Sequence, residues 1–127
     1  MTIDRWARAL DRVLPGDVAG PIYLSGPMKG IEAANYPAFG AAASLLRARG
    51  FVVLSPHEVP KAPAGCVDEY AYYMRADLAL LTKAAAIVLL PGWPASRGAG
   101  VELAAAESMG CAVYFYDAGD LVCMDRV

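Results

Sequence analysis

Four short runs of this sequence are apolar at nearly every position, so they offer no polar face to water. They lie at residues 21–25, 51–54, 85–90 and 112–116. Strands of this kind are typical of parallel sheets, which are covered on both faces. Segments with helical periodicity separate the runs and can supply both covers. The pattern predicts an α/β fold, a single-domain flavodoxin-like or Rossmann-like three-layer sandwich with a mainly parallel sheet of four or five strands.

The helical segments fix the expected organisation of the chain. They lie at residues 2–14, 35–49, 66–83 and 100–109, and residues 121–124 are a candidate fifth strand. Thr2 is the expected N-cap of the first helix, and Gly50 and Gly110 are expected to end the second and fourth. We expect residues 1–20 to form an N-terminal helical extension and residues 21–127 to form the domain.

Charge and hydropathy exclude several classes of function. The net charge is −2 and no Lys/Arg cluster is present, which argues against duplex nucleic acid as a partner. The longest uncharged runs, 33–46 and 84–96, contain proline and fall short of the roughly 20 apolar residues of a membrane span. The first residues lack the apolar core of a signal peptide, so we expect a cytoplasmic protein without a membrane contact.

The cysteines and the single histidine limit the available chemistry. Cys66, Cys111 and Cys123 are widely spaced, and with His57 alone they form no zinc pattern. Lone histidines are more often structural than functional. We therefore expect no metal and no cofactor, and chemistry that depends on carboxylates.

In a parallel sheet, ligands bind beyond the carboxyl ends of the strands, where three loops are expected to meet. The first loop, residues 25–30, reads S-G-P-M-K-G and contributes the candidate binding residues Ser25, Gly26, Met28 and Lys29. Its glycines allow close approach of the backbone, and its lysine could hold a phosphate. An ordinary tight turn with a surface lysine is the alternative.

The loop after the third strand leads into the fourth helix. It contains Trp93, Ser96, Gly98 and Gly100, followed by Glu102 in the expected first helical turn. Backbone N–H groups and a hydroxyl at a helix N-terminus can bind an anion. A carboxylate there stays ionised and could act as a nucleophile, although glutamate is also common in first turns for its charge alone. Trp93 could stack on a base or cover the edge of the core.

Two further residues are candidates for proton transfer and for positioning. Asp77 falls on the edge of an apolar stripe that runs from Val67 to Leu81, so it is expected to be half-buried. Partial desolvation raises a carboxyl pKa, which suits a proton donor, but an ion-paired boundary aspartate is equally consistent. Tyr23 lies within the first strand, where its hydroxyl could brace a carboxylate or bond a backbone carbonyl.

Three stretches in this order resemble the nucleoside 2-deoxyribosyltransferase-like superfamily. They are I-Y-L-S-G-P-M-K-G at 22–30, Y-x-R-x-D at 73–77, and L-P-G-W-x-x-S-R-G-A-x-x-E at 90–102. The resemblance covers about residues 21–115 and is greatest to a small phage and bacterial branch. It implies a flavodoxin-like fold and cleavage of an N-glycosidic bond through a covalent glycosyl-enzyme. Glu102 matches the nucleophile, Asp77 the aspartate near the base, and Tyr23 the tyrosine that orients the glutamate.

The residue six positions before the glutamate bears on the substrate. Deoxyribosyltransferases that act on free nucleosides tend to carry an aspartate there, and this chain has Ser96. The S-x-G-x-G-x-E pattern at 96–102 is similar to the 2′-deoxynucleoside 5′-monophosphate N-glycosidases, in which the serine and the following N–H groups hold the phosphate. Lys29 matches a basic residue of their first loop. A serine can donate to a phosphate that an aspartate would repel.

The resemblance is incomplete at two places. Residues 117–127 contain no serine to match the one that such glycosidases lend to a neighbouring subunit, and the loop at 55–73 matches no branch closely. The favoured interpretation is a nucleotide N-glycosidase with deoxyribosyl transfer as a side activity. A catalytically silent nucleotide-binding module is the alternative. A phosphoribohydrolase is disfavoured because its P-G-G-x-G-T-x-x-E motif is not met. We also expect a homodimer or larger homo-oligomer.

Overall fold

A computed structural model describes residues 13–123 of the chain. Its sheet has five strands in the order β2-β1-β3-β4-β5. The strands are β1 (Ile22–Ser25), β2 (Val53–Leu54), β3 (Ala86–Leu89), β4 (Ala112–Asp117) and β5 (Asp120–Cys123). The first four are parallel, and β5 returns antiparallel to β4. This is the predicted α/β sandwich, with the candidate fifth strand present one residue earlier than expected.

Three helices cover the two faces of the sheet. They are α1 (Tyr36–Ala48), α2 (Glu69–Leu81) and α3 (Arg97–Ser108). The sheet has a hydrophobic core on each face, one under α1 and one under α2 and α3. Alternate residues of β1 contribute to these two cores, because side chains along a strand point to opposite faces. Leu24 packs with Phe39 and Leu46 of α1, whereas Tyr23 packs with Leu81 of α2 and Ala106 of α3. The face that α2 and α3 cover is the one that carries the functional side chains.

Helix α3 begins three residues earlier than predicted. The Ser96 side chain accepts a 3.1 Å hydrogen bond from the Ala99 N–H and caps the helix, which then starts at Arg97. Glu102 is therefore the sixth residue of α3, and its expected place in the first turn was wrong. Its ionisation is controlled by tertiary contacts rather than by the end of the helix.

Helix α2 also differs from its prediction. Asp68 accepts a hydrogen bond from the Ala71 N–H, so the helix begins at Glu69 instead of residue 66. Val67, which anchored the predicted apolar stripe, lies outside the helix and is fully exposed. The buried residues of α2 are Asp77 and Leu81, so the buried face is turned toward the aspartate and Asp77 is more deeply buried than expected.

The predicted N-terminal helix lies outside the described residues except at its last two positions. There Leu14 has extended backbone angles, and the N–H of Val13 donates to the carbonyl of Leu121. Within residues 13–123 no helix is long and apolar enough to cross a membrane.

Candidate active site

Strand β1 presents two hydroxyls to the same carboxylate. Tyr23 and Ser25 are two residues apart, so their side chains share the face covered by α2 and α3. The Tyr23 hydroxyl donates to Oε2 of Glu102 at 2.9 Å, and the Ser25 hydroxyl donates to Oε1 at 2.6 Å. Each carboxylate oxygen of Glu102 therefore has its own donor, which fixes the orientation of the side chain.

The two hydroxyls act against the cost of burying Glu102. This side chain is only 5% exposed, and burial raises the pKa of its carboxyl group above the ordinary value for glutamate. The hydrogen bonds from Ser25 and Tyr23 lower this pKa and offset part of the rise. Burial also raises the pKa of Tyr23 far above its ordinary value, and the charge of Glu102 adds to the shift. The tyrosine thus stays protonated and remains a donor to the carboxylate.

Asp77 is a second buried carboxyl group, and in the described part of the chain it lacks the hydrogen-bond donors that Glu102 has. It is 9% exposed, and within residues 13–123 its buried Oδ1 has no hydrogen-bond partner. Burial, and then the charge of Glu102, raise the pKa of Asp77 to about 7. An uncharged carboxyl group can donate a proton, which the ionised form cannot. Within residues 13–123 Asp77 forms no ion pair, so the alternative of an ion-paired aspartate is not found there.

Two tyrosines near Asp77 were missed by the sequence interpretation. Burial raises the pKa of Tyr36, and the neighbouring Tyr73 and Asp77 add to the shift. The Tyr73 hydroxyl accepts a 2.8 Å hydrogen bond from the Ala62 N–H, which ties the loop after β2 to helix α2. Tyr73 is four residues before Asp77 and so lies one turn earlier on the same face of α2. This spacing in the sequence could have identified Tyr73 as a neighbour of Asp77.

The first turn of α3 offers fewer backbone donors than predicted. The Gly100 N–H donates to the Ser96 carbonyl at 3.0 Å, so it cannot also serve an anion as expected. The Gly98 N–H has no acceptor within the described part of the chain. A Cβ at Gly98 would lie 4.0 Å from Sδ of Met74, which places this turn against α2.

The residues of the first loop have different environments. A Cβ added at Gly26 would lie 2.9 Å from Cβ of Leu90, so packing alone accounts for this glycine. Met28 is partly buried against the α1 core, whereas Lys29 is exposed. Ser25, predicted to contact substrate, is fully buried and donates to Glu102 instead. Trp93, in the loop after β3, is half-buried against the core under α2 and α3, so it covers the edge of this core.

The structure therefore brings together Tyr23, Ser25, Asp77 and Glu102 at one end of the sheet. His57 lies beyond the end of β2, where its ring contacts Tyr36 and Phe39. Over residues 13–123, no group of three His, Cys, Asp or Glu side chains is arranged to hold a metal ion. The gathered residues place two buried carboxyl groups near each other. Glu102 has two hydroxyl donors that favour its ionised form, whereas Oδ1 of Asp77 has no partner within residues 13–123, and the pKa of Asp77 is raised to about 7.

Comparison with known proteins supports the fold. The family model described as Domain of unknown function (DUF4406) matches residues 21–115. Among solved structures, the 2-deoxyribosyltransferase of Bacillus psychrosaccharolyticus superposes with a TM-score of 0.60 at 24% sequence identity. The match covers 76% of this chain and 71% of that one. No curated protein matches the sequence. The fold is thus nucleoside 2-deoxyribosyltransferase-like, as the sequence resemblance implied.

Proposed function

The chain belongs to the DUF4406 family, and we propose that it is an N-glycosidase that cleaves the base–sugar bond of a (2′-deoxy)nucleoside 5′-monophosphate. The observation that carries the proposal is the unequal pair of buried carboxyl groups. Glu102 receives two hydroxyl hydrogen bonds, whereas Oδ1 of Asp77 receives none from residues 13–123. Two titratable groups whose environments separate their protonation states can divide the roles of nucleophile and acid.

The reaction proceeds in two displacements at the sugar C1′. The ionised carboxylate of Glu102 attacks C1′ and forms a glycosyl ester, while the C1′–N bond breaks and its electron pair leaves with the base. The Asp77 carboxyl group donates its proton to the departing base nitrogen. The resulting Asp77 carboxylate then takes a proton from water, whose oxygen attacks C1′ and releases Glu102. Attack by a second base in place of water would give deoxyribosyl transfer.

Tyr23 and Ser25 position the nucleophile in this scheme. Their two hydroxyls hold one rotamer of Glu102 and favour its charged form. Neither hydroxyl needs to touch the substrate, since Tyr23 and Ser25 are fully buried. The assignment of Ser25 therefore moves from binding the substrate to holding the glutamate.

The 5′-phosphate is assigned to the first turn of α3. Ser96 caps this helix with its oxygen, so its hydroxyl hydrogen remains available to an anion. The Gly98 N–H of the same turn has no acceptor within residues 13–123, and the exposed Lys29 adds a mobile charge. Trp93 and Met28 are proposed to border the base, and Gly100 to preserve the turn without donating to the ligand.

The direct test is release of free base from a panel of nucleotides and nucleosides, followed by chromatography. We expect release by the wild type and loss of nearly all turnover in Glu102→Gln. The matched control is Glu107→Gln, because Glu107 is an exposed glutamate of the same helix. Base release at wild-type rate by Glu102→Gln would end the assignment of the nucleophile, and a silent panel would favour the binding-module alternative.

A homodimer or larger homo-oligomer is part of the proposal. Two large apolar side chains, Val101 of α3 and Met109 directly after its end, remain exposed in the single chain. Light scattering at micromolar concentration tests the assembly, and a monomer would refute it.

A further inference from the structure

Helices α2 and α3 are joined at their N-terminal ends by a cation–π contact. The guanidinium carbon of Arg97, the first residue of α3, lies 4.7 Å from the centre of the Tyr70 ring, in the first turn of α2. Tyr70, Met74 and Asp77 follow one another on one face of α2 at helical spacing. Tyr70 lies about 10 Å along the helix from Asp77, at 1.5 Å per residue.

The residues of α3 are arranged in the same way along their helix, from its N-terminal end toward the carboxyl groups. Arg97 is its first residue, Gly98 lies against Met74, and Glu102 lies a further turn down. The N-terminal ends of both helices face the carboxyl edge of the parallel sheet, where ligands enter. Arg97 and Tyr70 therefore lie at the carboxyl edge of the sheet, between one and two helical turns nearer the helix N-termini than Glu102 and Asp77.

Arg97 retains its capacity to bind an anion. Within residues 13–123, no carboxylate lies at ion-pair distance from its guanidinium. Stacking on an aromatic face occupies the plane of a guanidinium but leaves its edge N–H groups directed outward. An arginine held in this way loses less side-chain freedom on binding, and its fork suits two phosphate oxygens at once.

We propose that Arg97, oriented by the ring of Tyr70, is the residue that recognises the 5′-phosphate of the substrate and so selects nucleotides over nucleosides. The proposal rests on the proposed function and deepens it. Lys29 matches a basic residue of the related glycosidases, and it is exposed as Arg97 is, but within residues 13–123 no described contact holds the Lys29 side chain. The Arg97 guanidinium is held against the Tyr70 ring, and Arg97 lies between Ser96 and Gly98 in the sequence, which are proposed to bind the same phosphate. Tyr70 is a positioning residue in this arrangement.

Steady-state cleavage of a nucleotide and of the matching nucleoside tests the proposal. For Arg97→Met, kcat/KM for the nucleotide should fall at least tenfold more than kcat/KM for the nucleoside, with the loss mainly in KM. Tyr70→Phe keeps the ring and should stay near the wild type, whereas Tyr70→Leu should reproduce part of the loss. Arg75→Met, which removes an exposed arginine from α2, is the charge-matched control and should leave the ratio unchanged.

Equal losses for nucleotide and nucleoside in Arg97→Met, or no loss, would overturn the role of Arg97. Failure of the glycosidase proposal is a different result, in which the wild type releases no base at all. The role of Arg97 is then decided by calorimetric titration of wild type and Arg97→Met with deoxynucleoside monophosphates. Affinity at least tenfold weaker in the variant supports it, and equal affinity or no binding by the wild type overturns it.

Discussion

The hydroxyl of Tyr23 donates a 2.9 Å hydrogen bond to Oε2 of Glu102, joining residues 79 positions apart in the chain. The bond connects the centre of the sheet to the second turn of α3. With the Ser25 hydroxyl on the other oxygen, it gives Glu102 two hydrogen-bond donors, whereas Oδ1 of Asp77 has no partner within residues 13–123. This difference between Glu102 and Asp77 is the basis of the predictions below.

Removal of the Tyr23 hydroxyl should move the acid limb of the pH profile. The hydrogen bond from Tyr23 lowers the pKa of Glu102, so Tyr23→Phe should raise that pKa. The nucleophile then ionises at higher pH, and the acid limb of kcat/KM should shift upward. Tyr116→Phe is the control, because Tyr116 is a half-buried tyrosine that packs on the other face of the sheet, in the core under α1. An unshifted limb in Tyr23→Phe would mean that the hydroxyl does not support the charge of Glu102.

Asp77 should set the alkaline limb of the same profile. Its pKa is raised to about 7, so kcat/KM should fall above about pH 7 as the donor loses its proton. Asp77→Asn should abolish this limb and slow natural bases by about 10²–10⁴-fold, the usual range for general acid catalysis. A nucleotide with an N7-methylated purine, which needs little protonation, should be slowed far less. Equal slowing of both substrates would argue for a structural aspartate.

The same carboxyl group should make the free energy of unfolding depend on pH. Its pKa is about 7 in the native state and about 3.9 in the unfolded state, so the unfolded state loses its proton first. Stability contributed by Asp77 is fully present below about pH 4 and is lost as pH rises to about 7, by up to about 1.4 kcal/mol per pH unit. Urea denaturation at several pH values should show a shallower decline in Asp77→Asn. Parallel declines in wild type and variant would refute the buried, raised-pKa state.

The segment before α1 should be stabilised by glycine. Ala33 and Ala34 both adopt left-handed backbone angles, with φ of 54° and 53°. Such a conformation costs a non-glycine residue roughly 1–2 kcal/mol, so Ala34→Gly should raise the free energy of unfolding by about 1 kcal/mol. The exposed helical Ala104 gives the control, since Ala104→Gly should lower stability by about 1 kcal/mol. Destabilisation by both substitutions, measured by urea denaturation, would contradict the left-handed turn.

The sequence was sufficient for the architecture, because apolar strands that alternate with helical segments have few ways to be covered. Through the resemblance of three motifs, the sequence also pointed to Tyr23, Asp77 and Glu102, which lie close together in the structure. The resemblance also implied that Tyr23 orients Glu102, but the sequence did not reveal that Ser25 is the second donor to this carboxylate. The sequence also predicted the wrong start for α3. The Ser96 hydroxyl caps the helix, so it begins at Arg97 and not at Gly100.

The depth of Asp77 and the role of Ser25 depend on packing between distant elements. The predicted stripe of α2 assumed that Val67 was helical, whereas the cap at Asp68 starts the helix later and turns Asp77 inward. Ser25 looked like part of a binding loop because glycine and proline follow it. Its pairing with Leu89 places it within the sheet, facing Glu102.

The central claim is that Glu102 forms a covalent bond to the sugar of a nucleotide. The most direct measurement is mass spectrometry of Asp77→Asn quenched during turnover of an N7-methylated purine deoxynucleotide, since loss of the base that activates water should let the intermediate accumulate. We predict a deoxyribosyl 5-phosphate adduct on the peptide that contains Glu102, and none when Glu102→Gln is added. Free base released with no adduct on that peptide, or an adduct on another residue, would contradict the account.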